Sequence, residues 1–170
     1  MILLQIVIML CLAFICYQDL VYRAVYWVCF PILSIIMFML KFNLSGWQEG
    51  LSHAGYGLAF LLIQLFILWI YFSVKNRKAI NLTDEYLGWG DVLFLITIAF
   101  YLSPVNYIIF YVVSLIIVLL HTIIGATLSS KERNPHIPLA GLQAALLALV
   151  MLVDFISTKF KLYDDSWLFF

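Results

Sequence analysis

The sequence predicts an all-α membrane protein, a bundle of six transmembrane helices forming a single domain over residues 1–170. Three observations predict it. Of the 170 residues, 66% are hydrophobic and only 11% charged, with a mean hydropathy of +1.10, whereas a soluble domain is nearer half apolar and a quarter charged. The apolar residues gather into six segments of helical length. Short polar connections join them, leaving no room for an extramembrane domain. Tilted barrel strands would need only about ten residues each, with alternation, and that alternation is absent.

The first segment runs over about 1–18. It lacks a basic leader and a small-residue cleavage site, so it is expected to remain as a helix rather than be removed as a signal peptide. The second, about 25–42, carries Pro31 in its first half, and the third, about 51–73, opens with Gly55, Gly57 and Ala59. The fourth begins near Leu87 to Asp91 and ends at Leu102, where Ser103-Pro104-Val105-Asn106 supplies a turn. The fifth covers about 105–128; the sixth, about 138–157, follows Asn134-Pro135-His136-Ile137-Pro138. In the sixth, Ala140, Ala144 and Ala148 recur every four residues with Gly141 and Ala145 beside them. Such a ridge allows close helix contact in lipid and is expected to serve packing rather than a substrate groove.

Charge narrows the function. The formal net charge is zero, which points away from nucleic acid or another polyanion. Cys11, Cys16 and Cys29 lie in or beside apolar runs without a C-x-x-C pair, so they read as small buried hydrophobes, with neither a zinc site nor a disulfide framework indicated. No metal or cofactor is called for. Trp27, Trp47, Trp69 and Trp167 near segment ends read as interfacial belts. Lysine and arginine set the orientation. With the N-terminus outside, Arg23, Lys75, Arg77, Lys78, Lys131 and Arg133 face the cytoplasm, against Lys41, Lys159 and Lys161 outside.

That topology brings two acids to one membrane face. Asp19 closes the first segment, and Asp91 opens the fourth behind Gly88-Trp89-Gly90. From Asp91 to Leu102 is roughly 18 Å of helix at 1.5 Å per residue, against a hydrocarbon core about 30 Å thick. Asp91 is therefore expected below the inner headgroups, in a wet depression open to the cytoplasm, because a bare carboxylate is too costly there. Gly88 and Gly90 would let backbone or substrate approach closely. Two carboxyls sharing a water and one proton can hydrolyse a peptide bond. One takes the water's proton while its protonated partner polarises the scissile carbonyl. Each acid has a plainer alternative: Asp91 as a helix N-terminal cap, Asp19 as an interfacial partner of Arg23.

Gly88-Trp89-Gly90-Asp91-Val92 resembles the GxGD motif of the intramembrane aspartyl proteases. Together with Asp19-Leu20-x-x-Arg23 after a first helix, six spans and a late Ile137-Pro138 segment, the chain is similar to the type IV prepilin peptidases. The resemblance implies that Asp19 and Asp91 are the catalytic pair, supported by Gly88, Gly90 and Arg23. It further implies that the substrate is a pilin-like precursor, whose short basic leader is removed at the cytoplasmic side of the inner membrane. Leu93 stands where the family usually has lysine, Val25-Tyr26 where Ile-Pro or Val-Pro is common, and Ile137-Pro138-Leu139-Ala140-Gly141 for Ile-Pro-Phe-Gly-Pro. The methyltransferase portion of larger members, with its paired cysteines, has no counterpart, so N-methylation is not expected.

The remaining polar residues read as secondary. Asp84 and Glu85 suit a solvated loop better than a basic-leader contact. His121 suits a structural hydrogen bond better than tuning of the acids, and His53 and His136 look interfacial. Asp154 lies toward the outer face, away from the pair. The alternative function is a non-enzymatic membrane subunit or small proton- or cation-coupled transporter using the same acids. That reading expects polar groups spread through the membrane depth. Oligomeric state is left open.

Overall fold

The computed structural model describes residues 1–78, 81, 87–128, 139–157 and 160–169. Among the described residues there are six helices, as expected: α1 (Ile2–Tyr22), α2 (Cys29–Ser45), α3 (Trp47–Asn76), α4 (Trp89–Ala99), α5 (Pro104–Leu128) and α6 (Leu139–Ile156), followed by a 3-10 turn at Ser166–Phe169. Four are long and apolar enough to cross a membrane: α1, α3, α5 over Pro104–Ile124, and α6. The other two are shorter, α2 with 17 residues and α4 with 11. At 1.5 Å per residue α4 is about 16 Å long, roughly half a hydrocarbon core.

The short helix lies inside. α1 packs most extensively on α6 and next on α2; α2 continues to α3, α3 to α5, and α5 back to α6. Within this ring, α4 touches α2, α3, α5 and α6. A helix apolar on every side must be covered on most sides, and Val92, Phe94, Leu95, Thr97, Ile98 and Ala99 of α4 are buried. Leu12, Ile15, Met37, Leu147 and Met151 fill the interior around it. The outward sides keep large apolar residues such as Leu10, Phe14, Ile63, Ile116 and Leu120 exposed, a band suited to lipid.

Local chemistry fixes the joints. α1 runs to Tyr22, past its expected end, and stops where Arg23 turns left-handed (φ 52°) and its N–H returns to the Asp19 carbonyl. Asp19 thus lies inside the last turn. Pro31 falls in the first turn of α2, where a missing N–H costs nothing. Gly46 alone joins α2 to α3, at φ 83°, a conformation that favours glycine. Gly57 admits α4 closely, because a Cβ there would lie 3.1 Å from the Ala99 Cβ.

Hydrogen bonds close the end of the bundle remote from Asp19. Lys41, expected to be a loop cation, is fully buried, and its Nζ donates to the Leu102 carbonyl at 2.9 Å. Asp154 accepts the Tyr101 hydroxyl at 2.5 Å and the Leu162 N–H at 3.1 Å. Asn106 Nδ2 reaches the carbonyls of Lys161, Leu162 and Asp164, each at 3.1 Å. The Ser103 hydroxyl donates to Asp165. The C-terminal segment is thereby fastened over the turn that links α4 to α5.

Candidate active site

The site starts from three places where a helix begins or ends. The first N–H groups of any α-helix have no acceptor within it, and carboxylates are favoured beside them. In α6 those donors belong to Leu139, Ala140 and Gly141. The Gly141 N–H donates to Asp19 Oδ2 at 2.6 Å across 122 residues of sequence. The carboxyl of Asp91, third residue of α4, takes backbone hydrogen bonds from Ala140 and from Gly88. One helical turn of α6 thus meets both acids, one arriving from α1 and the other from α4.

Asp91 lies within electrostatic reach of Asp19. Asp19 is only 8% exposed and Asp91 is half-buried. The capping alternative for Asp91 holds as well: Gly88 is the extended N-cap residue of α4 (φ −66°, ψ 141°), and Asp91 reaches back to its N–H. That is the reciprocal half of a capping box. The same carboxyl therefore starts its own helix and contacts the start of another.

The supporting residues separate. A Cβ on Gly88 would stand 3.1 Å from Asp91 Oδ2, tighter than ordinary contact, whereas one on Gly90 would meet only Phe30 Cζ at 3.9 Å. Close approach therefore requires Gly88 and does not require Gly90. Arg23 is exposed and serves α1 through its backbone. Beside Asp19, the buried Gln18 accepts the Tyr26 N–H at 3.3 Å, tying the α1–α2 connection to the site. Leu93 packs half-buried against the apolar core.

Ala140 and Gly141 enter the site although the small-residue ridge pointed to packing. Both readings hold, since Ala140 and Ala144 are buried in the core. The signal for a site role lay in Ile137-Pro138-Leu139-Ala140-Gly141, which marks where α6 begins; residues 137 and 138 lie outside the described residues. Further along α6, the fully buried Gln143 donates through Nε2 to the Ser114 hydroxyl at 3.0 Å, while its Oε1 has no hydrogen-bond partner among the described residues.

His121 is exposed on α5, not buried as a structural hydrogen bond inside the helix bundle would require. Half-buried His53 shares its surroundings with Lys41, Glu49, Asp164 and Asp165. Asp154 is engaged with Tyr101 and Leu162. Asp84, Glu85, His136, Lys131, Arg133 and Lys159 lie outside the described residues. Among the described residues, no three or more His, Cys, Asp or Glu side chains gather as a metal site. Comparison with protein-family models, curated proteins and solved structures finds no match to this chain.

Proposed function

We propose that the chain is a membrane aspartyl endopeptidase of the type IV prepilin peptidase kind. On this reading it removes the short basic leader of pilin-like precursors at the cytoplasmic face of the inner membrane, with its N-terminus outside. The observation that carries the reading is the meeting of Asp19 and Asp91, 72 residues apart in sequence, at the first described turn of α6. Aspartyl hydrolysis needs two carboxyls in electrostatic contact, so that one is ionised while the other holds a proton.

The division of labour follows from the surroundings. The ionised carboxylate accepts the proton of a water placed between the two acids. The protonated partner hydrogen-bonds the scissile carbonyl, and the proton then passes to the leaving amine. The backbone N–H groups of Gly88, Ala140 and Gly141 aim the carboxyl oxygens, and fixed donors of this kind need no rearrangement during the reaction. The short α4 sets Asp91 at a depth where a scissile bond beside an apolar helix can meet it.

The proton- or cation-coupled alternative uses the same acids and would further draw on buried polar groups such as Lys41, Asp154 and Gln143. Lys41 and Asp154 are occupied in fastening α4 and the C-terminal segment, which favours a structural role for them.

The test is co-expression of the chain with small secreted precursors that carry a basic leader and an apolar helix, with leader loss read by mass. Wild type removes the leader, while Asp19→Asn and Asp91→Asn insert normally and do not. Full cleavage by a properly inserted Asp91→Asn protein refutes the mechanism.

A further inference from the structure

α1 and α4, which carry the two acids, each pack against α6, and α1 makes its most extensive contact there. Asp19 holds Gly141 at a distance that leaves no space between them. A Cβ added at Gly141 would lie 2.8 Å from the Asp19 Cβ, 3.0 Å from its Oδ2 and 3.3 Å from its Cγ. At 2.8 Å something must shift, and the nearest atom is the stem of Asp19 rather than the end of a flexible chain. The amide of Gly141 lies in the first described turn of α6, where no described residue of that helix is placed to accept from it. Among the described residues its acceptor is the Asp19 carboxyl, at 2.6 Å.

We propose that Gly141 is a positioning residue for Asp19: its amide aims the carboxyl, and its missing side chain sets how closely α1 meets α6. The assignment rests on the aspartyl-protease reading for its effect on turnover, but the contact itself does not. Gly141→Ala keeps the amide and changes only the space, driving Asp19 away from α6 while Asp91 keeps its donors at Ala140 and Gly88. A misplacement of about 1 Å of a reacting group costs on the order of a hundredfold in rate. Substrate binding away from the acids is untouched.

Two measurements test it. In precursor cleavage, Gly141→Ala lowers kcat at least about tenfold with KM unchanged, whereas Gly55→Ala, with nothing within 4 Å of its added Cβ, leaves both at wild-type values. Wild-type kcat in Gly141→Ala overturns the proposal and leaves the protease reading standing. So does a fall in kcat matched by the fraction of protein unfolded, since that is a structural effect alone. The second measurement needs no activity and covers a Gly141→Ala protein that fails to fold. In Asp19→Ala, hydrogen exchange at the Gly141 amide quickens about tenfold or more, because its hydrogen bond to the Asp19 carboxyl is gone, while that at Leu147 is unchanged. Unaltered protection at Gly141 overturns the proposal. Absence of cleavage by wild type with protection lost in Asp19→Ala removes the protease reading but keeps the Asp19–Gly141 contact.

Discussion

Gly55 and Gly57 lie two residues apart in α3, so the same substitution in each isolates the value of close helix contact. A methyl at Gly55 meets nothing within 4 Å, whereas one at Gly57 stands 3.1 Å from Ala99 Cβ, 3.6 Å from Ala99 Cα and 3.7 Å from the Tyr107 ring. Glycine in a helix interior costs roughly 0.5–1 kcal/mol relative to alanine. Both sites gain that amount, so it cancels in the comparison. What remains is overpacking. Carbon pairs prefer about 3.5–4.0 Å, and an extra methyl in a filled interior costs about 1–3 kcal/mol. Gly55→Ala is therefore neutral to stabilising, and Gly57→Ala falls below it by about 1–3 kcal/mol. For a chain of this length that separates the midpoints by about 2–10 °C. Thermal unfolding of both variants in the same detergent, followed by loss of the monodisperse species, reads the difference. Equal midpoints, or a more stable Gly57→Ala, would refute the claim that α3 is held against α4 by the absence of a side chain.

Three further outcomes are expected. Gly88→Ala pushes against Asp91 Oδ2 at 3.1 Å and lowers turnover several-fold, whereas Gly90→Ala, 3.9 Å from Phe30, does not; cleavage rates of the pair check this, and equal losses count against it. Tyr101→Phe removes one of the two hydrogen bonds that the Asp154 carboxyl accepts among the described residues, leaving the Leu162 N–H. It destabilises the bundle by about 1.5–3 kcal/mol, the worth of a buried hydrogen bond to a charged group, read as a lower unfolding midpoint. In the C-terminal segment, the Ser166 hydroxyl, donating at 2.6 Å, holds the Asp164 carboxyl below its usual range. A carboxyl depressed in the fold stabilises it above the ordinary carboxylate pKa of about 4 and loses that contribution as pH falls through the lower value. Ser166→Ala accordingly brings the Asp164 carbon resonance, followed by pH titration, back toward the ordinary range.

Most of the architecture was legible in the chain. Six apolar stretches with polar joints, lacking the alternation of barrel strands, hide their backbone polar groups as helices, and six helices form among the described residues. The ends were less legible. Apolar pattern fades at a helix terminus, while the terminus itself is set by backbone events such as Arg23 turning left-handed or Gly46 at φ 83°. Nor was burial legible in Lys41, a cation counted on the outward side, because a long stem can carry an ammonium back to a carbonyl in another turn, here Leu102.

The candidate site divides along the same line. Which residue types can do carboxylate chemistry is written in side chains, so Asp19 and Asp91 stood out against a hydrocarbon background where acids are costly. What gathers them is not. Ala140 and Gly141 offer peptide N–H groups that every residue but proline possesses, and beyond the Ile137-Pro138 that precedes α6 no letter of the sequence singles out their amides. Packing chose those two by laying α6 against α1 and beside α4. Packing also told Gly88 from Gly90, identical letters two positions apart, by setting a carboxyl against one and open contact against the other.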